Sequence, residues 1–407
     1  MVSTPRPAAD PTPAGSGLTT AITAGVVTAV VGFTSSFAVV LAGLRAVGAT
    51  PGQASSGLLA LSVAMGIGSA VFSRRFRMPI TMAWSTPGAA LLAGAATPAL
   101  GFHGAVGAFV VAAVLVIACG AIRPLGGLIA RIPLALANAM LAGVLLTLCV
   151  APFRAAVASP AAILPVIAVW LLLVRFAPRW AVPGALAAAV VVMVVSGAFT
   201  HLPVGSLTPV VEIVTPAWDP AAILALGVPL FLVTMTSQNI PGIAVLKSFG
   251  YQAPVAPVLL YTGATSVGTA FLGGHTINFA AISAALAAGP QAHPDPARRW
   301  VAGVAAGVVY TAFGPLAAGI TAAAGAAPAG LMETIAGLAL IGAFAGAARS
   351  ALGDVDHRDA AAVAFIIGAS GITVAGIGPA FWALLGGGLY LAVTRGRLPR
   401  TQSGGTG

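Results

Sequence analysis

Apolar residues run along this chain in long blocks separated by short polar, Gly- or Pro-rich interruptions. Fourteen blocks stand out. The first seven lie near 18–44, 52–73, 79–94, 103–122, 132–150, 159–177 and 181–199. The second seven lie near 220–246, 254–272, 275–289, 300–323, 328–348, 359–375 and 378–394. A helix needs roughly 20 apolar residues to cross the hydrocarbon core of a bilayer, and the blocks predict an all-α polytopic membrane protein. Two blocks are too short. Pro79–Gly94 and His275–Gly289 have about 15 residues each and start on groups unsuited to lipid. One opens with Pro79, Thr81, Ser85, Thr86 and Pro87, the other with His275, Thr276 and Asn278. Each predicts an extended lead-in followed by a half-helix, buried in protein because lipid cannot satisfy open backbone groups.

The two sets of seven resemble each other. Thr34-Ser35-Ser36-Phe37 through Pro51 lies on Thr236-Ser237-Gln238-Asn239 through Ala253 with an offset of 202, pairing Arg45 with Lys247 and Gly48 with Gly250. The short blocks align with an offset of 195, which pairs Thr81 with Thr276 and Gly94 with Gly289. A repeat of seven spans contains an odd number of crossings, so the second copy must be inverted. Residues 18–199 form the first repeat and 220–395 the second, joined by the loop 200–219. Inverted repeats with matched broken helices are the signature of secondary transporters, whose site lies near the midplane where half-helix N-termini meet. Each such terminus carries unpaired N–H groups and about half a positive charge.

Composition narrows the class. Of 407 residues, 59% are apolar and 6% charged, far below the quarter typical of soluble domains. Disorder of the whole chain is excluded by the same figures; only 1–17 and the tail 396–407 read as unstructured. The net charge of +10 suggests nucleic acid, but there is no basic stripe with interleaved aromatics. Instead, the cations mark topology. With the N-terminus inside, sixteen of the 18 Lys and Arg fall on the cytoplasmic side, and only Arg45 and Arg154 fall outside. The loop 200–219 carries Glu212 and Asp219 and no cation, as an external loop should. Cys119 and Cys149 sit in apolar runs, and neither a metal cluster nor a cofactor motif is present. A membrane-embedded enzyme is disfavoured, because five scattered His and one intramembrane Glu supply no convergent set of reacting groups.

Polar residues within a bilayer are costly and therefore candidates for function. The densest run is Thr236, Ser237, Gln238 and Asn239 in the eighth span, with Thr34, Ser35 and Ser36 as its counterpart beside Phe33 and Phe37. Trp84, Ser85 and Thr86 stand where the first half-helix begins, so a capping role and a ligand role are both open. His275, Thr276 and Asn278 open the second short block. His275 and Glu333 are the two candidates for carrying a proton, and Asn138 is an expected interhelical contact. Substrate contact is assigned to Ser35, Ser36, Phe37, Trp84, Ser85, Thr86, Ser237, Gln238, Asn239, His275, Thr276 and Asn278. No carboxylate lies in the two central helices or the half-helices, which favours an anion over a cation as ligand. Gly342 and Gly346 have the spacing of a small-residue helix contact, which leaves a homodimer open.

The stretches TSSFAVVLAGLRAVGATPGQASSGLLALSVAMG (34–66), MAWSTPGAALLAG (82–94) and PLFLVTMTSQNIPGIAVLKSFGY (229–251) resemble the bacterial benzoate/proton symporter family. So do IPLALANAMLAGVLL (132–146), GGHTINFAAISAALAAGPQAHPDPARRWVAGVAAGV (273–308) and ASGITVAGIGPAFWALL (369–385). The resemblance implies import of benzoate with a proton across the inner membrane. The family is in turn similar to nucleobase permeases and sulfate-type anion transporters. That likeness implies a core domain of 18–122 plus 220–323, a gate domain of 123–199 plus 324–395, and a short strand before each half-helix. Where proton-coupled nucleobase permeases use acidic residues in the eighth and tenth spans, this chain has Gln238, Asn239 and Asn278, so coupling residues do not transfer. Another small organic anion or a nucleobase remains the alternative substrate.

The topology is testable directly. An impermeant thiol reagent is expected to label Val211→Cys in intact cells and Ala348→Cys only after lysis; the reverse pattern would invert the orientation.

Overall fold

The computed structural model describes residues 14–122, 133–201, 207–281, 283–374 and 377–394. The expectations for residues 1–13 and for the tail from 395, and the cations Arg6, Arg123 and Arg131, lie outside those residues.

Each of the fourteen predicted segments meets a structural element. The first is α1 (Ala14–Thr34) with α2 (Phe37–Ala46), the second α3 (Pro51–Phe76). The third is β1 (Met82–Trp84) leading into α4 (Thr86–Ala93), and the fourth is α5 (Gly101–Ala121). Then come α6 (Leu134–Ala158), α7 (Pro160–Phe176) and α8 (Ala181–Val195). The second half opens with α9 (Pro220–Ser248) and α10 (Val255–Ala270). It continues with β2 (Ile277–Phe279), α11 (Ala284–Ala288) and α12 (Pro296–Ala326). It closes with α13 (Leu331–Gly353), α14 (Arg358–Ala369) and α15 (Pro379–Thr394). Counting α1 and α2 together, eight helices among the described residues are long and apolar enough to cross a membrane.

Three local corrections have physical reasons. Residues 14–17, read as unstructured, belong to α1. The first span is not one helix: it breaks at Ser35–Ser36, where hydroxyls bond back to their own turn. Thr34 Oγ1 donates to the Val30 carbonyl at 2.6 Å and Ser36 Oγ to that of Gly32 at 2.8 Å, a competition that loosens helices. Asn138 likewise donates to the Leu134 carbonyl of its own helix at 2.9 Å rather than to a neighbour.

The two short segments meet as antiparallel strands, pairing Met82 with Phe279, Ala83 with Asn278 and Trp84 with Ile277. The offset of 195 read from the sequence maps these pairs onto themselves: Ala83 pairs with its own counterpart Asn278. The flanking bonds obey the same relation. Ser85 N–H donates to the Thr276 carbonyl at 2.9 Å, and Ala280 N–H to that of Thr81 at 3.0 Å. Each strand's outer edge is closed by a serine from a crossing helix. Met82 N–H donates to Ser69 Oγ of α3, and Ile277 N–H to Ser266 Oγ of α10, both at 2.8 Å. A two-stranded ribbon is marginal on its own in water; buried here, it has its edges covered by side chains instead.

The offset of 202 recurs at the ends of α2 and α9. Gly48 (φ 99°) and Gly250 (φ 86°) both adopt the left-handed backbone. Ala49 N–H donates to Leu44 O and Tyr251 N–H to Leu246 O, each at 3.0 Å. This is the same glycine-terminated C-cap in both halves.

Around the strands, α3 packs along α12 and α5 along α10, while α1 lies against α12. Small residues permit the close approach: a Cβ at Gly66 would fall 2.6 Å from the Gly307 carbonyl, and one at Gly263 would fall 2.9 Å from Ile117 N. A second group forms where α6 packs along α13 and α14, α14 along α15, and α7 along α8. Residues 207–219 cross one end of the molecule, with Glu212 N–H donating to Ser56 Oγ and Ala217 N–H to the His103 carbonyl.

Removing an edge serine leaves a buried N–H without a partner, which costs about 1–3 kcal/mol. Ser69→Ala and Ser266→Ala are each expected to lower the unfolding midpoint of the purified protein in detergent. Ser248→Ala, at the end of α9, whose hydroxyl only back-bonds to its own helix, should not.

Candidate functional site

A cavity of about 520 Å³ lies beside the strand pair, within the range typical of small-molecule sites. Its floor is built from three breaks in regular structure. The first is the α1–α2 break, which exposes Gly32, Ser35 and Ser36. The second is the β1–α4 turn, which contributes Trp84, Thr86 and Pro87. There Ser85 caps α4, its Oγ accepting from Gly88 N–H at 3.2 Å, so Thr86 opens the helix facing the cavity. The third is a π-helical widening of α9 over Met235–Asn239, which coincides with the polar run and turns Gln238 inward. Such bulges recur at functional sites. Tyr310 of α12 completes this side; the other side comes from Trp170 and from Leu338 to Ala343 of α13.

Of the residues expected to touch substrate, Ser35, Ser36, Trp84, Thr86 and Gln238 line the cavity. Ser36 Oγ accepts from Trp84 Nε1 at 2.8 Å, which fixes the indole. Gln238, 6% exposed, makes no hydrogen bond among the described residues, so its amide has both a donor and an acceptor unused. The other expected residues lie outside the lining. Phe37 stacks on Phe33 at 5.8 Å between centroids, and Phe33 packs on Trp84 and Phe313, a buried aromatic cluster. Asn239 braces the second strand: its Oδ1 accepts from Phe279 N–H at 3.0 Å, while its Nδ2 approaches Met235 Sδ at 3.2 Å. Asn278, in the amide orientation that satisfies both ends, accepts from Ser85 N–H at 3.0 Å and donates to the Phe279 carbonyl at 2.6 Å.

Ser85, Thr276 and Thr234 form one buried network. Thr234 Oγ1 donates to Ser85 Oγ at 2.9 Å and lies 3.0 Å from Thr276 Oγ1. His275 precedes the second strand, fully buried, with Nδ1 3.2 Å from the Thr276 carbonyl and Nε2 without a partner among the described residues. Ser237 Oγ is also buried without one. Glu333 is exposed in the first turn of α13, within electrostatic reach of Arg45. The cavity-lining part of that helix starts five residues on, about 7.5 Å along its axis. Gly342 lines the cavity, and a Cβ at Gly346 would meet open space.

Sequence reading missed Tyr310, Trp170, Arg179 and the α13 stretch. Arg179 carried a signal, its charge, but it was absorbed by topology. The others are ordinary apolar or aromatic helix residues whose facing direction no pattern reveals.

A polar-floored cavity held between two helical groups, beside paired broken segments, is the arrangement of a multi-pass membrane transporter. The transmembrane domain of the cyanobacterial bicarbonate transporter BicA has the same fold: TM-score 0.57 at 17% identity, covering 93% of this chain and 97% of that one. Residues 17–393 match the family model described as benzoate membrane transport protein (BenE), and the chain belongs to that family of transporters. It is 38% identical over 370 residues to the inner membrane protein YdcO of Escherichia coli (strain K12), covering 91% of this chain and 94% of that protein. It is 32% identical over 329 residues to the benzoate membrane transport protein of Acinetobacter baylyi (strain ATCC 33305 / BD413 / ADP1), covering 81% and 83%.

The geometry separates two adjacent amides. Gln238→Ala is expected to leave the unfolding free energy within about 0.5 kcal/mol of the parent, as loss of a side chain without partners should. Asn239→Ala should cost about 1–3 kcal/mol by orphaning Phe279 N–H. Equal losses would contradict the assignment of one to the cavity and the other to the strand.

Proposed function

We propose that the protein imports benzoate, or a similar aromatic carboxylate, together with a proton across the bacterial inner membrane. The observation that carries this reading is the lining of the cavity. Hydroxyls of Ser35, Ser36 and Thr86 and the unpaired amide of Gln238 share it with the ring of Trp84; it holds no acidic residue and includes Arg179. The Thr86 hydroxyl at the start of α4 and the Gln238 amide of α9 suit a carboxylate, the more so because a helix N-terminus carries positive potential. Trp84 suits an aromatic ring. Membership of the benzoate transport family agrees with that chemistry.

In this reading the two halves are inverted repeats. The group α1–α5 with α9–α12 is a core that carries the site, and α6–α8 with α13–α15 is a gate against which it moves. The cavity reaches the α7–α8 turn, the side that the charge pattern assigns to the cytoplasm, so this is an inward-open state. Moving an anion inward against an inside-negative potential costs about 2.3 kcal/mol per 100 mV. One accompanying proton makes the step electroneutral. Of the two candidates, His275 is the better placed. It adjoins Thr276, and Thr276 is linked through Thr234 to Ser85, the cap of α4. Gln238 has a donor and an acceptor free, which also suits a nucleobase, and competition between labelled benzoate and unlabelled solutes separates the two.

In proteoliposomes with an alkaline interior, radiolabelled benzoate is expected to accumulate and to leak out when a protonophore is added. His275→Gln should remove the dependence on the pH step, and Gln238→Ala should raise the half-saturating concentration. Reconstituted folded protein that accumulates no benzoate would refute the substrate assignment.

A further inference from the structure

Arg179, the charged residue in the cavity lining, sits in the turn Pro178–Trp180 between α7 and α8. Its backbone is held from both sides. Pro178 restricts the preceding torsion, Trp180 N–H donates to the Ala177 carbonyl at 2.8 Å, and Ala177 N–H donates to that of Leu173 at 2.7 Å. The side chain is exposed and makes no hydrogen bond or ion pair among the described residues. Its neighbours in the lining, Trp170, Val174 and Val182, bring no charge. No acidic residue is in the cavity lining, and the ion pairs among the described residues are Asp295 with Arg298 at 3.7 Å and Asp354 with His357 at 2.9 Å, neither of them with Arg179.

An unpaired guanidinium at an apolar rim has its full fork of donors available, in a geometry that matches a carboxylate. Walls of low dielectric focus its field into the opening. Resting on the reading of the protein as a carrier of aromatic carboxylates, we propose that Arg179 is a second carboxylate station at the mouth of the cavity. There it sets affinity on the side of the α7–α8 turn and selects anions over neutral ring compounds. The floor built by Thr86 and Gln238 holds the substrate during the crossing; Arg179 meets it only while the cavity is open toward this turn. The effect is therefore one-sided. A lysine retains the charge without the fork, and glutamine removes both.

Two readouts test this on the full-length protein in membranes. The first reports the charge of the mouth without any substrate. Val182→Cys, three residues from Arg179 and in the lining, is alkylated with an anionic and a cationic thiol reagent of equal size. The native Cys119 and Cys149 are buried. Arg179→Gln is expected to lower the anionic-to-cationic rate ratio roughly threefold at low salt, Arg179→Lys should preserve it, and salt near 1 M should erase the difference. The second readout is the half-saturating benzoate concentration, measured in right-side-out and inside-out vesicles. Arg179→Gln should raise it roughly threefold on the side of the turn alone, with benzamide competing better than against the parent. An unchanged reagent ratio overturns the proposal. So does a changed ratio with unchanged half-saturation, or a rise of equal size on both sides. Absence of saturable benzoate flux in the parent would instead remove the substrate reading, while the reagent ratio still decides whether Arg179 charges the mouth.

Discussion

The structure depends on placing extended backbone inside a membrane domain. Two three-residue strands have no bilayer water to satisfy their polar groups, so every N–H and C=O there must find a protein partner. They find part of it in each other, through the register that sets Ala83 opposite Asn278. At the outer edges Ser69 of α3, Ser266 of α10 and Asn239 of α9 accept from Met82, Ile277 and Phe279 N–H. The strands in turn fix where α4 begins, and the start of α4 defines the floor of the cavity. The helices that supply the serines are held by small residues of their own, Gly66 letting α3 approach α12 and Gly263 letting α10 approach α5.

That constraint also sorts the polar residues of the interior. Ser85, Thr234, Thr276, Asn239 and Asn278 are spent on strands and caps. A buried group with a good partner is structural, since breaking the pair leaves the other half orphaned. Gln238 differs from Asn239 by one position and by this criterion alone: the π-helical widening of α9 turns the first toward the cavity and the second toward the strand. Ser36 occupies an intermediate place, lining the cavity while holding the Trp84 indole.

Charge is arranged with comparable economy. The cations in the helical interior are few, and the acidic residues sit at helix starts and loops, where Asp219 and Asp295 cap the turns that follow them. Arg299 is the exception, 6% exposed, and it is satisfied by the carbonyls of His293 and Ala288 at 2.7 and 2.9 Å. The second of these carbonyls ends α11, so the cation sits at a helix C-terminus, where the backbone dipole favours it. Arg179 has no such partner, and it borders the cavity beside the strand pair.

The amino-acid sequence by itself determined that the chain spans a membrane many times, and it located all fourteen segments, because the hydrophobic length needed to cross a bilayer is a property of local composition. It located the two short segments for the same reason and aligned them at an offset of 195, but that they pair with each other, Ala83 opposite Asn278, came only from the structure. The alignment of Gly48 with Gly250 was legible too, while their shared role as left-handed helix caps came only from the structure. Only the tertiary structure decided which polar residues face the cavity. Among twelve candidates, five line it, and the helix break at Ser35–Ser36, the β1–α4 turn and the widening of α9 select them. The break is made by hydroxyls bonding back to their own turn, whereas Asn239 in the widening is held to the second strand, far along the chain. Tyr310 and Trp170 were invisible for a related reason: a helix apolar on every face gives no periodic sign of the direction in which a given side chain points.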